Sequence, residues 1–289
     1  MRVIITGSTG RLGGAFLSLW GQDHHIEVIA PGRGQLDLAQ PASLCSALQA
    51  MQFDVLVNAA AITGLEQCLD EPKTATAVNT TSPRVMAEVC RKKGARLVHF
   101  STDYVLSGEQ PGLKAETDAT GAVNVYGASK EAAEDAVMEA DPTALVGRVS
   151  WLFGPDGRPS HFDQVLDRSR AGECQELIDD KFSMPTFTHD VVGWVGQLLK
   201  TPAAGVYHLC NSGEPESWYS YAQKVIRLAS CLGDTVKEEN LLAKPIAEAV
   251  FFRDQRPIHT AMCPARIMAE EIARPRHWLD AAKDYMEMR

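Results

Sequence analysis

The first thirteen residues constrain this chain more than any other stretch. Val3-Ile4-Ile5 is a short apolar run of β-formers, and Thr6-Gly-Ser-Thr-Gly-Arg-Leu-Gly13 follows it without a break. Leu12, Phe16, Leu17 and Trp20 then recur at helical spacing. Strand, glycine turn and helix in that order form a phosphate-binding corner. The first glycine permits the tight turn, the second lets backbone approach a pyrophosphate, and the third lets helix and strand pack closely. A pyrophosphate there meets free helix N–H groups and the positive end of the helix dipole. Gly7, Thr9, Gly10, Arg11 and Leu12 are the candidate cofactor-binding residues of this loop.

The alternation continues. Ile26–Ala30 reads as a strand, Ser43–Met51 as a helix, Val55–Val57 as a strand and Ser82–Lys93 as a helix. Leu97–Phe100, a helix from Ser129 to about Glu139 and a strand at Ala144–Val146 follow. Short continuous apolar strands alternating with helices predict an α/β fold, a Rossmann-type doubly wound parallel sheet covered on both faces, with right-handed crossovers. This dinucleotide-binding core is expected over residues 1–148, with strands near 174–179 and 205–210 returning to the sheet. The texture changes at Gly-Pro-Asp-Gly-Arg-Pro, residues 154–159. Residues 149–289 read as a smaller, irregular, discontinuous substrate-binding lobe.

Composition narrows the function classes. A chain of 289 residues, 45% hydrophobic, can bury a sizeable core. Its net charge of −9 argues against general affinity for nucleic acid or an anionic membrane surface, and no apolar run is long enough to span a bilayer. The seven cysteines are odd in number and form no CxxC pair, so neither a zinc site nor a disulfide framework is expected. Met1 runs straight into a strand with no signal peptide ahead, and a cytoplasmic, reducing location is expected.

The second strand ends in Ala30-Pro-Gly-Arg33, with no acidic residue to take the ribose 2′-hydroxyl of NAD. Arg33 suits the 2′-phosphate of NADP instead, and Arg11 can assist; the plainer reading is two solvated arginines. NADPH is therefore the expected cofactor, with NADH as the alternative. Asp37 and Leu38 are counted with the cofactor side. Ala59, Ala60 and Ala61 follow the third strand, where small side chains let backbone lie along adenosine and ribose.

Chemistry enters with Tyr126-Gly-Ala-Ser-Lys130. On a helix, residues four apart share a face, so phenol and ammonium point into one cleft. A tyrosine works as an acid–base group near neutrality only when a neighbouring cation favours its phenolate, and Lys130 supplies one while also reaching ribose hydroxyls. Ser101-Thr-Asp-Tyr104 follows the strand Leu97–Phe100, at the end of the sheet where ligands bind. Thr102 is placed there to hydrogen-bond a substrate carbonyl, its plainer role being to cap the turn.

With these residues in view, the chain resembles the extended short-chain dehydrogenase/reductases, and within them the dTDP-4-dehydrorhamnose reductase family. The resemblance rests on the TGxxGxxG loop, Val57-Asn-Ala-Ala-Ala-Ile-Thr63, Ala77-Val-Asn79, Ala95–Val105 and Asn124–Lys130. It runs on through Ser150-Trp-Leu-Phe-Gly154, Asp179–Thr186, Gly205–Leu209 and Arg256-Pro257, nearly the whole chain. It implies NADPH-dependent reduction of the C4 ketone of a nucleotide-linked 4-keto-6-deoxy sugar. Tyr126 would protonate the alkoxide, Lys130 would tune Tyr126 and Thr102 would polarise the ketone. Asp103, Tyr104, Trp151 and Arg256 would be substrate residues, and a homodimer is the assembly to expect.

Departures bear on the sugar more than on the cofactor. The family's DQxGxPT pattern carries Ser183 in place of its glycine, and the last thirty residues match weakly. Some members bind a metal between subunits; no such ligands map here, and none is expected. His24-His25 lacks a third convergent ligand and reads as a surface loop, and Asp179-Asp180 read as turn caps. Two rival readings remain. One is an epimerase or dehydratase of the same superfamily, against which the missing acidic ribose partner counts. The other is an NADP-binding regulatory subunit like the beta subunit of methionine adenosyltransferase, against which the intact Thr102, Tyr126 and Lys130 count.

Overall fold

The computed structural model describes residues 1–237, 240–250 and 252–289. It begins as expected, with strand β1 (Arg2–Thr6), helix α1 (Arg11–Trp20), β2 (Glu27–Ile29), α2 (Pro41–Ala50) and β3 (Val55–Asn58). Helix α3 (Ser82–Lys93), β4 (Arg96–Thr102), α4 (Val125–Ala140) and β5 (Leu145–Val149) follow, and α5 (Thr188–Leu198) and β6 (Gly205–His208) complete the layer. The six strands pair in the order β2-β1-β3-β4-β5-β6, every pairing parallel.

The period-two pattern sorts the strand side chains into two cores. Val3, Ile5, Val55, Val57, Val98, Phe100 and Leu145 face one way, onto Phe16 and Trp20 of α1 and Val191 and Val195 of α5. Ile4, Leu56, Leu97 and Val146 face the other way, onto Leu44 and Leu48 of α2 and Val85, Met86 and Val89 of α3. Burial on both sides is what a parallel sheet requires. Each fully buried aliphatic side chain contributes about 1.5–3 kcal/mol.

The strand order reverses between β1 and β3, so the loops after these strands diverge and open a crevice at the C-terminal edge of the sheet. Gly7 to Gly10 and Ala59 to Ala61 form its rims.

Two expectations are corrected. The strand expected near 174–179 does not join the main sheet: Gln175–Ile178 pairs in parallel with Leu241–Lys244 as a separate ribbon. Only one edge is open beside β5, and β6 takes it. Leu177 instead enters a third core with Phe153, Phe162, Val225, Leu241, Trp278 and Tyr285. The helix that carries Tyr126 and Lys130 also starts at Val125 rather than Ser129. Asn124 caps it, its side-chain oxygen accepting the Gly127 N–H at 2.7 Å, which puts Tyr126 in the first turn.

Candidate active site

The glycine loop explains its own composition. Gly7 has φ +71°, and a Cβ there would lie 2.7 Å from Ala60 N, so the turn and the close approach to the β3 loop both demand glycine. A Cβ on Gly13 would fall 2.2 Å from the Gly7 carbonyl oxygen, so the third glycine lets α1 close against the loop. The N-cap of α1 is Gly10, with no side-chain cap and no acid in the first turn. Its leading N–H groups are free for an anion.

These atoms open into a cavity of about 610 Å³ that holds most of the site. Gly10, Arg11, Leu12 and Ala59–Ala61 line the cofactor end; Ser101, Thr102, Asp103, Tyr104, Tyr126 and Lys130 line the middle. The far wall is aromatic, built by Trp151, His161, Trp218 and Tyr221. Three buried polar atoms in this lining, Arg11 Nη1, Ser101 Oγ and His161 Nε2, have no hydrogen-bond partner among the described residues. A buried polar group without a partner is costly, so the cavity is chemically suited to a polar, anionic ligand such as a dinucleotide.

Lys130 is wholly buried, and burial pulls its pKa down to about 8. Its Nζ lies 3.2 Å from Nε2 of His99. Burial and that cation hold His99 well below the ordinary histidine range, so the ring is neutral and accepts through Nε2. On its other side, His99 Nδ1 lies 3.0 Å from the Asn58 side-chain amide nitrogen, and Asn58 Oδ1 accepts the Thr6 hydroxyl at 2.7 Å.

Tyr126 is buried, which raises its pKa, while a hydrogen bond with Thr102 opposes the shift. The phenol therefore holds its proton. The Thr102 hydroxyl donates to Asp103 Oδ1 at 3.1 Å and accepts the Tyr104 N–H at 3.3 Å, so it also caps the turn. Asp103 is a convergence point, because its Oδ2 accepts the Ser183 hydroxyl at 2.8 Å and the Thr260 hydroxyl at 2.5 Å.

Trp151 has φ +38°, a left-handed conformation that costs a bulky residue about 1–3 kcal/mol. Its neighbours impose it. The Ser150 hydroxyl donates to Met184 O at 2.6 Å, Thr186 N donates to Trp151 O, and the ring abuts Trp218 and Tyr221.

Other expected residues lie outside the lining. Arg33 is exposed beyond β2, Asp37 caps the Ala39 N–H, and Leu38 is packed in the core under α2. Thr9 is exposed on the loop. Arg11, by contrast, is in the lining, near Asp163, Tyr221 and Tyr285, and burial lowers its pKa. Arg256 sits 3.0 Å from Glu66, with its guanidinium 3.5 Å from the Phe252 ring centroid. Sequence reasoning missed His99, Ser101, His161, Trp218 and Tyr221. It also missed Asn79, which binds both backbone groups of Ile62 and reaches Ser129 Oγ on α4.

Fold and site together define a nicotinamide-dinucleotide-dependent oxidoreductase of the short-chain dehydrogenase/reductase class. Comparison with known proteins narrows this. The family model for the RmlD substrate binding domain matches residues 1–289, and the chain belongs to that family of nucleotide-sugar 4-keto reductases. It is 32% identical to a dTDP-4-dehydrorhamnose reductase of Streptomyces griseus, covering 96% of this chain and 90% of that one. It is 31% identical to a probable dTDP-4,6-dihydroxy-2-methyloxan-3-one 4-ketoreductase of Streptomyces antibioticus, over 98% and 94% of the two chains. The crystal structure of dTDP-4-dehydrorhamnose reductase from Bacillus anthracis in complex with NADP superposes with a TM-score of 0.87 at 25% identity, over 99% of each chain.

Proposed function

We propose that this protein uses NADPH to reduce the C4 ketone of a dTDP-linked 4-keto-6-deoxy sugar, dTDP-4-dehydro-L-rhamnose being the substrate and dTDP-L-rhamnose the product. The observation that carries the reading is the shared cavity: an uncapped helix N-terminus, Thr102, Tyr126 and Lys130, and an aromatic wall line one continuous space. Arg33 and the absence of an acid after β2 support NADPH over NADH, as does the NADP bound by the Bacillus anthracis relative.

When bound, the nicotinamide supplies a hydride to the ketone carbon. Tyr126, which keeps its proton in the folded protein, delivers it to the ketone oxygen. Lys130 stabilises the phenolate left behind, and His99 fixes where that ammonium sits. Thr102 and Tyr126 present hydroxyls to the oxygen while its negative charge develops, where stabilisation lowers the barrier most. Trp151 gives the sugar ring a flat apolar face.

The test is NADPH consumption across a panel of nucleotide-linked 4-keto sugars, with the product's C4 configuration read by NMR. Turnover of dTDP-4-dehydro-L-rhamnose to the rhamno product is the expected outcome. Turnover confined to another base or sugar would overturn the substrate assignment, and turnover of none would overturn the enzymatic reading.

A further inference from the structure

Two side chains of the cavity lining play no part in the mechanism above: Arg11, in the first turn of α1, and His161, the first residue of the helix His161–Ala171. Each carries a buried nitrogen, Arg11 Nη1 and His161 Nε2, that makes no hydrogen bond among the described residues. The His161 ring is nevertheless fixed. It stacks on Tyr221 with ring centroids 5.9 Å apart and planes 18° apart, and its centroid lies 5.7 Å from that of Trp218. A phenyl ring would fill the same place in this aromatic wall without stranding a polar atom. The imidazole therefore costs the fold stability that an apolar ring would not.

The two residues sit on segments that meet. Gly157, four residues before His161, packs so closely on the glycine loop that a Cβ there would lie 2.9 Å from Arg11 N. Arg11 in turn follows Gly10, the N-cap of α1, which has no side-chain cap. The carboxylate nearest in sequence to His161, Asp163, already has partners of its own. It accepts the Ser160 N–H, the Ser160 hydroxyl and the Tyr285 hydroxyl, each at 2.6 Å, and pairs with Arg289 at 3.0 Å. A guanidinium only donates, so the group that meets Nη1 is an acceptor, and an anionic acceptor makes the stronger bond. An imidazole N–H donates to the same kind of oxygen. On a dinucleotide or a nucleotide sugar, the anionic acceptors are the phosphoryl oxygens.

We propose that Arg11 and His161 form a phosphate clamp, donating from Nη1 and Nε2 to oxygens of one phosphate group on the bound nucleotide. The glycine loop offers that ligand backbone N–H groups, and the clamp adds two side-chain donors from the side of the aromatic wall. Stacking on Tyr221 holds the His161 donor in place before the ligand arrives, which lowers the entropy lost on binding. The pyrophosphate of the cofactor and the diphosphate of the sugar nucleotide share this chemistry, and binding each nucleotide separately tells them apart. The inference rests on the proposed function in taking the ligand to be NADPH or a dTDP-linked sugar.

The experiment measures Kd for NADPH and for dTDP separately, by titration calorimetry, in the wild type, His161→Phe, His161→Gln, Arg11→Met and the Arg11→Met/His161→Phe double variant. His161→Phe should raise the Kd of one nucleotide about tenfold or more, the scale of one hydrogen bond to a charged group. Arg11→Met should weaken the same nucleotide, His161→Gln should recover part of the loss, and the double variant should lose less than the product of the two. A rise for NADPH assigns the clamp to the cofactor, and a rise for dTDP assigns it to the substrate. His161→Phe should melt no lower than the wild type, whereas a merely structural histidine would leave both Kd values unchanged and lower the melting midpoint. That result would overturn the clamp, as would effects on different nucleotides, or a raised KM for the keto sugar with both Kd values unchanged. A wild type that binds neither nucleotide would overturn the proposed function and the clamp together; normal binding by every variant would overturn the clamp alone.

Discussion

The ammonium of Lys130 and the Nε2 of His99 lie 3.2 Å apart in a region closed to solvent. This contact ties helix α4, which carries Tyr126, to the strand β4 that carries Thr102. It gives a buried cation a neutral acceptor in place of water. His99→Leu leaves that cation one acceptor short, which costs about 1–3 kcal/mol for an unsatisfied buried group. A lower urea midpoint and a reduced kcat are expected, with His99→Gln retaining more of both because its amide oxygen can accept. Equal losses in the two variants would show that ring packing, not the hydrogen bond, is what matters.

Lys130 also sets a pH limit. Burial lowers its pKa from the ordinary lysine value to about 8, so the free enzyme loses the ammonium as pH rises through about 8. The kcat/KM profile, which reports free-enzyme groups, should decline above that point. A flat profile to pH ~10, the ordinary lysine range, would show that Lys130 keeps its full charge.

Stability should respond to acid. His161 and His208 have their pKa lowered to about 4 by burial. His208 donates Nδ1–H to the carbonyls of Lys114 and Cys263, leaving Nε2 to face Arg148. A depressed folded-state pKa means the unfolded chain binds more protons between pH 6.5 and about 4. The stabilisation is therefore complete above pH 6.5 and is lost as pH falls through this window. At pH ~5 each histidine should cost about 2 kcal/mol relative to neutrality. Thermal melts at the two pH values check this, and His208→Gln should flatten the dependence.

Arg33 tests the cofactor preference. It is exposed beyond β2 and away from the cavity lining, so its removal should leave fold and turnover intact. Arg33→Ala is expected to raise the KM for NADPH about tenfold, the scale of one charged hydrogen bond, and to leave the KM for NADH unchanged. Equal effects on both cofactors would move the 2′-phosphate contact elsewhere.

What the sequence disclosed was local or periodic. The loop from Gly7 to Gly13, the strands from Val3 to Val149 and the Tyr126–Lys130 spacing each carry a short-range signature that chemistry explains. His99 was invisible because its role depends on where α4 crosses β4, a long-range juxtaposition that the apolar run Leu97–Phe100 does not encode. His161, Trp218 and Tyr221 reach the cavity only through the lobe's packing around Phe153 and Tyr285. Gln175–Ile178 has the composition of a sheet strand, but it pairs with Leu241–Lys244 and sends Leu177 into the third core, a long-range pairing that its own residues do not encode. Arg11 shows the same limit. Its place in the loop was legible, but its direction, toward Asp163 and Tyr221, was not.

The central claim is that Tyr126 gives the proton while NADPH reduces a nucleotide-linked 4-keto sugar. The most direct measurement is NADPH oxidation with dTDP-4-dehydro-L-rhamnose by the wild type and by Tyr126→Phe, with NADPH affinity measured in parallel. The account expects turnover by the wild type, a loss of about 10²–10⁴-fold in kcat for the variant, as removal of a general acid produces, and an unchanged Kd. Equal rates for the two proteins would contradict it.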